Sequence, residues 1–592
     1  MMNPQRMVEL IEAARGDRPA DLLLRNARLV NVFSAAIQET DIAVAHGRIA
    51  GFGARAAVKT VDLKGRFVAP GFIDAHVHIE SAMLTPGEFA RAVLPHGTTA
   101  VIADPHEIAN VLGGAGIDYM LSAAEGQPME IFYSLPSCVP ATHLSTAGAV
   151  LAAGDLGPYL RHPRVKALAE MMNVPGVIAA DPGVLAKLAA MRVAGKPLDG
   201  HSPGLGGSAL HAYMVPGIAS DHECTTLAEA AEKLAAGMHI MVRQGTGARN
   251  LADLLPLIDA RTERRLMWCT DDRHPHDLLD EGHIDSIVRL AVRSGLDPIT
   301  AIRMATLNPA EYFRLDHLGA LAPGRQADMV LFDDLHDPRV RQVYVKGRLA
   351  VEDGRLTQSS RSGGMPAAPP AAMRVPLDQL DFSVAAQSGS LRVIEVVPGQ
   401  IVTRSVLATA RSASGRALAD PSRDLLKLVV VERHHGTGRT GIGFVKGFGL
   451  RRGALASSVA HDSHNIVAVG VEDADMLLAV RTVVEMGGGL VAVSGGRVLA
   501  RLALPIAGLM SDQPVHAVRD GLDRLLAAGR QMGAVPPDPF MTLSFLALPV
   551  IPALKLTERG LVDVERFEIV PLFEQRTGND GRSRRERNHE HR

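Results

Sequence analysis

Two histidines stand two residues apart in the segment Pro70-Gly-Phe-Ile-Asp-Ala-His76-Val-His78-Ile-Glu80. At the end of a strand, residues i and i+2 share a face. Both imidazoles then project together, and one metal ion can take both. Alone, the pair reads equally well as two surface histidines in a loop. Later apolar runs change the balance, because each ends in a similar residue. Glu170 ends one, His201 and His222 end two more, and Asp271 with Asp272 ends the last. Unrelated polar residues would scatter over both ends of such runs. Clustered at one end, His76, His78, Glu170, His201, His222 and Asp271 supply nitrogen and oxygen ligands enough for two metals. A cation pair makes water a nucleophile near neutral pH, so the expected chemistry is hydrolysis. Imidazole and carboxylate without thiolate suit zinc, manganese and iron alike. Asp104, His106 and Glu107 follow another apolar run. They either line a pocket, bind its ligand or a further metal, or open a helix, where acidic side chains complement the dipole.

These residues need elements that converge on one place. Between about 67 and 315, short apolar runs alternate with helical ones. Eight candidate strands are Val68–Ile73, Thr98–Ala103, Met129–Ser134, Val165–Glu170, Pro197–Gly200, Gly217–Ser220, His239–Arg243 and Leu266–Thr270. The clearest helix, Thr226–Leu234, opens with Thr226 and Glu229 at capping-box spacing and pairs Glu229 with Lys233. Eight strand–helix units over ~250 residues match a (β/α)8 TIM-like barrel, whose active sites lie at the strand C-termini. A doubly wound open sheet fits the same periodicity. Short strands at 1–66 and 316–357 flank this middle and are expected to form one small composite β-sandwich domain. Residues 358–373 read as a linker by composition. Residues 374–575 read as a separate C-terminal α+β domain, and 576–592 as a polar, disordered tail.

The bulk composition narrows the partners. Lys and Arg total 62 against 64 Asp and Glu in 592 residues. That balance makes no electrostatic case for nucleic acid or an anionic membrane. No window holds ~18 consecutive uncharged apolar residues, so no membrane span is expected. The three cysteines, Cys138, Cys224 and Cys269, form no CxxC pair. They fit a reducing cytoplasm. Gly487–Gly489 and Gly495-Gly496 lack a phosphate-loop frame and read as turns.

The pattern of His-x-His, then a carboxylate, two single histidines and a final Asp resembles the amidohydrolase superfamily. Three segments resemble the adenine deaminase family in particular: Gly71-Phe-Ile-Asp-Ala-His-Val-His-Ile-Glu-Ser, Asp104-Pro-His-Glu-Ile-Ala-Asn and Cys269-Thr-Asp-Asp-Arg-His. Val459-Ala-His-Asp-Ser-His-Asn resembles that family's C-terminal domain. Many superfamily members bridge two metals with a carboxylated lysine. Here Lys166 lies four residues before Glu170, ~13 Å along a strand. The resemblance assigns the bridge to Glu170.

The resemblance implies hydrolytic deamination of adenine to hypoxanthine and ammonia, with adenine and water as the small-molecule partners. It implies two divalent ions, with Mn2+ or Fe2+ favoured and Zn2+ as the alternative. Asp271 is expected to ligate metal and carry protons between water and the departing amino group. Asp272 is expected to bind the purine, pointing away from Asp271 if the strand persists. His106 and Glu107 are assigned to catalysis, and Asp104 to the substrate. His461, Asp462, His464 and Asn465 read either as a lid over the barrel mouth or as a satisfied polar turn. His274 is a loop histidine near the site. The resemblance is compatible with a homo-oligomer. Two other readings stand: a cyclic amidohydrolase acting on another heterocycle, and a non-catalytic scaffold.

Overall fold

The computed structural model describes residues 3–358, 364, 366–369 and 373–574. Most of the expected linker, and the tail from 576, lie outside the described residues. The middle of the chain forms eight strands: β1 (Phe72–Val77), β2 (Thr98–Ala103), β3 (Glu130–Leu135), β4 (Val165–Met171), β5 (Leu198–Gly200), β6 (Ser220–Asp221), β7 (His239–Arg243) and β8 (Leu266–Cys269). They pair in parallel in two arcs, β1 to β5 and β6 to β8. Single parallel bridges close the seams, Leu198 to Ile218 and Val77 to Asp271. The second bridge joins the last strand region to the first. The fold is therefore a (β/α)8 barrel, and the open sheet is excluded.

Every residue of β1, β2 and β8 is buried, as in parallel strands covered on both faces. The helices outside follow their own period. In Ile284–Arg293 the buried residues include Ile284, Ile287, Val288, Ala291 and Val292, one apolar stripe at helical spacing. Fully burying an aliphatic side chain is worth ~1.5–3 kcal/mol, so this stripe holds the helix to the barrel. The helix near 226 spans Leu227–Ala235 with Thr226 as its cap. Glu229 pairs with Lys233 at 2.7 Å. Its carboxylate returns to the backbone N–H of Thr225 rather than to that of the cap.

The run expected as a strand over Val68–Ile73 divides in two. Phe67–Pro70 belongs to the small β domain and Phe72–Val77 to the barrel. Gly71 is the crossing. Its N–H donates to Asp328 O, while that of Phe72 donates to Gly97 O. A Cβ at Gly71 would lie 2.1 Å from Thr99 Oγ1, so only glycine allows the two layers this close.

The small domain is a continuous nine-stranded sheet built from both sides of the barrel. Ala20–Asn31 and Ala36–Ala45 join Met329–Phe332 and Gln342–Val345 through Phe67–Pro70. A second nine-stranded sheet forms the C-terminal domain, with helices Asp473–Glu485 and Val515–Met532. This domain crosses the C-terminal ends of the barrel strands. His274 meets Asp538 there at 2.5 Å, and Thr146 N–H meets Glu558 at 2.8 Å. No described helix is long and apolar enough to cross a membrane.

Candidate metal centre

Strand ends bring the six candidate ligands together. His76 Nε2 and His78 Nε2, at the end of β1, lie 3.1 Å apart. Both face Asp271 Oδ1, at 3.6 and 3.1 Å. Both also face Glu170 Oε1, at 3.8 and 3.3 Å. The other oxygen, Glu170 Oε2, faces His201 Nδ1 at 2.5 Å and His222 Nε2 at 3.2 Å. One carboxylate thus divides its two oxygens between two pairs of imidazoles. Each of these six residues is at most 4% exposed. Lys166 instead sets its ammonium 4.9 Å from the Phe132 ring.

Tautomers follow from the partners. The carbonyl of Asp104 can only accept, so His78 Nδ1 donates to it at 3.1 Å. That leaves His78 Nε2 as the nitrogen that faces His76, Glu170 and Asp271. Four imidazoles, two carboxylates and no thiolate make a donor set that fits a pair of divalent cations. His76, His222 and Asp271 cluster at one end, and Glu170, His201 and His222 at the other. The fixed Nδ1 partner of His78 is the usual support of a ligating histidine.

The charges are strongly coupled. Burial pushes the Glu170 carboxyl up, but His201 and His222 hold it well below the ordinary range. Burial acts likewise on Asp271, and hydrogen bonds from His76 and His78, with Arg243, hold it well below as well. Arg243 donates to Asp271 Oδ2 at 2.8 Å and clamps both oxygens of Glu223. Asp272 differs. Burial and the charge of Asp271 push its carboxyl up.

Asp272 does not point away from Asp271 as strand alternation requires. β8 ends at Cys269, and Asp271 adopts φ 57°. That left-handed residue resets the alternation, so both carboxylates line one small cavity. Asp272 accepts from Ser81 Oγ there.

Asp104, His106 and Glu107 lie beside this cavity rather than on its wall. Asp104 spends both oxygens on His106, accepting from its backbone N–H at 3.0 Å and its Nδ1 at 2.9 Å. Each Asp104 oxygen keeps a further lone pair beyond these two bonds. His106 Nε2 lies 3.5 Å from Glu107 Oε1 and 3.6 Å from Asp462 Oδ1. Glu107 reaches across to the C-terminal domain. It accepts from His461 Nδ1 at 2.5 Å and from His464 Nε2. Ala460 N–H donates to His464 Nδ1 at 3.1 Å. His464 is therefore neutral with its proton on Nε2. His461 stacks on Phe545 at 4.5 Å and turns Nε2 toward Asp272 Oδ1, 4.0 Å away. Burial works against charge on His461, yet Glu107 and Asp272 push it up to about 9. Asn465 donates to Glu558 at 3.1 Å. His274 is held by Asp538 and is not part of the centre.

Comparison with known proteins extends this picture to the whole chain. Residues 67–350 match the amidohydrolase family, and residues 400–568 match the adenine deaminase C-terminal domain. The chain is 57% identical over 566 residues to an adenine deaminase of Desulfatibacillum aliphaticivorans, covering 96% of this chain and 99% of that protein. This chain belongs to the adenine deaminase family. A second member, from Methanothrix thermoacetophila, is 49% identical over 568 residues, covering 96% of this chain and 100% of that protein. Among solved structures, an enamidase of the amidohydrolase superfamily matches with 18% identity and TM-score 0.45. It covers 56% of this chain and 96% of its own. Amidohydrolases are metal-dependent hydrolases, in keeping with the donor set above.

Four residues around the centre went unread in the sequence. Arg243 and Glu223 fix Asp271, and Ser81 fixes Asp272. Asp74 ties β1 to the end of β8, accepting from Thr270 N–H at 3.2 Å and Thr270 Oγ1 at 2.5 Å. Glu223 and Asp74 each stand within two residues of a candidate ligand, a spacing that offered a signal.

Proposed function

We propose that this protein hydrolyses adenine to hypoxanthine and ammonia at the buried centre, in the class of metal-dependent deaminases. The observation that carries the reading is Glu170 dividing its oxygens between two imidazole pairs beside Asp271, in a chain akin to adenine deaminases from end to end. His76, His78 and Asp271 would hold one divalent ion, and His201 with His222 a second, with Glu170 shared between them. Mn2+ or Fe2+ is the preferred pair, with Zn2+ as the alternative. Bound there, the ions lower the pKa of water and make it a nucleophile near neutral pH.

The chain's own residues do the rest. Arg243 and the two histidines keep Asp271 ionised, the form able to take a proton from water. Asp271 then returns that proton to the departing amino group at C6. Asp272 lines the same cavity, its carboxyl pushed up by burial and by the charge of Asp271. It can hold a purine ring nitrogen by donating or accepting. Glu107 holds His461 and His464 at the barrel mouth, so the C-terminal domain helps exclude water from the reacting ring. Ammonia release and hypoxanthine formation from adenine, measured after loading with Mn2+, Fe2+ or Zn2+, test the proposal. A panel of other amino- and oxo-heterocycles runs beside it. Turnover of another ring with none of adenine refutes the substrate assignment.

A further inference from the structure

The centre is deeply buried, so its substrate needs a route. The cavity that Asp271 and Asp272 line has a volume of only about 10 Å3, and Gly247, Ile401 and Phe545 complete its outer wall. A larger cleft of about 250 Å3 lies between the barrel and the C-terminal domain. Its lining includes the same three residues, Gly247, Ile401 and Phe545. The two spaces adjoin at these three residues, which form the neck between them.

The cleft narrows inward. At its outer rim Pro398, Gly399, Val535 and Pro537 are exposed. At the neck Met541, Ile401 and Phe545 are 3%, 6% and 8% exposed. Between rim and neck the wall is largely apolar, with Val402 and Leu546 among its residues. Such a wall desolvates a neutral heterocycle without competing for its polar edge.

Gly247 sets the bore. Its backbone does not need glycine, since its φ is outside the left-handed region. Space is what needs it. A Cβ there would lie 3.2 Å from Met541 Cγ, 3.8 Å from Phe545 Cε2 and 3.9 Å from Ile401 Cγ2. Any larger side chain would fill the neck. Lys555 fixes the backbone on the far side, donating from Nζ to Ile401 O and to Phe545 O, both at 2.9 Å. Opening is thus left to the side chains of Ile401 and Phe545.

We propose that this interdomain funnel is the path of the planar heterocycle and its product, and that Gly247, Ile401 and Phe545 set the size it admits. The inference rests on the reading that the centre acts on a small ring.

The test places a removable plug in the funnel of the full-length, metal-loaded protein. Cys138, Cys224 and Cys269 are buried, so a cysteine introduced by Val402→Cys is the reactive one. A bulky maleimide on that cysteine should lower kcat/KM for adenine at least tenfold relative to the unlabelled variant. A methylthio adduct should lower it much less, and metal content should stay equal in all three. The bulky adduct should also slow metal loss to pyridine-2,6-dicarboxylate. That readout needs no turnover, so it still tests the route if adenine proves not to be the substrate. Gly247→Leu should reproduce both effects, with Gly247→Ala intermediate. Bulky-labelled protein with unchanged kcat/KM and unchanged metal loss overturns the proposal.

Discussion

Replacing Glu170 by Gln isolates the charge at the middle of the centre. The amide keeps the volume but removes the negative charge and turns one oxygen into an NH2 group. Oε2 now faces His201 Nδ1 at 2.5 Å and His222 Nε2 at 3.2 Å, and Oε1 faces His78 Nε2 at 3.3 Å. Whichever way the amide turns, one pair of imidazoles loses its carboxylate partner. Two unit charges ~4 Å apart at an effective dielectric of ~20 interact by about 4 kcal/mol. With ~1.4 kcal/mol per tenfold, losing the charge alone weakens the hold on a cation by roughly 10²–10³-fold. Glu170→Gln should therefore emerge from chelator-washed gel filtration with about one metal per chain or fewer, against about two in the parent. Its turnover should fall with its metal content. Elemental analysis beside ammonia release makes the measurement. A variant carrying two metals per chain with unchanged turnover refutes the bridge.

The other perturbations separate roles around the same cavity. Asp271→Asn removes the proton carrier while keeping its size, and should lower kcat by ~10²–10⁴-fold with little change in KM. Asp272→Asn should raise KM instead, and steady-state kinetics with metal analysis on both variants distinguishes the two residues. Arg243→Met strands the buried carboxylates of Glu223 and Asp271, and should cost ~3–5 kcal/mol of stability; an unchanged urea midpoint contradicts this. Lys555 is fully buried, and burial pushes its ammonium from 10.5 down to about 7. Between about pH 7 and pH 10 the unfolded chain then holds more protons, so this group makes stability rise with pH across that window. Lys555→Met should flatten the rise, read as the difference in urea midpoint between about pH 7 and pH 9.5; equal slopes in parent and variant reject the assignment.

The legible part of the site was local. Period-two alternation carried His76 and His78 to one face, and the ends of apolar runs marked Glu170, His201 and His222. Asp271 was legible by position, but the direction of Asp272 was not. A single left-handed residue at φ 57° cancels the alternation, and no glycine or asparagine there announces it. Arg243 ends its strand as a rim charge ordinarily would. Its partners Glu223 and Asp271 lie 20 and 28 residues away, and the parallel pairing of β6, β7 and β8 brings them within reach. Gly247 reads as a loop glycine until Met541, Ile401 and Phe545 are seen around it.

The relation between Glu107 and the C-terminal domain is the extreme case. Glu107 stands 354 residues from His461 and 357 from His464, so no periodicity can link them. The burial of Glu107 shows why the link matters. A carboxylate 1% exposed is costly unless paired. Burial pushes its carboxyl up, while His461, His464 and His106 together hold it well below the ordinary range. Two of those three imidazoles come from the C-terminal domain. Without that domain Glu107 would face water or take a proton, and His106 would lose the charge beside its Nε2. His106 is also 3.6 Å from the shared Glu170 through Nδ1. The C-terminal domain therefore does more than cover the barrel mouth: through His461 and His464 it keeps a buried carboxylate of the barrel ionised.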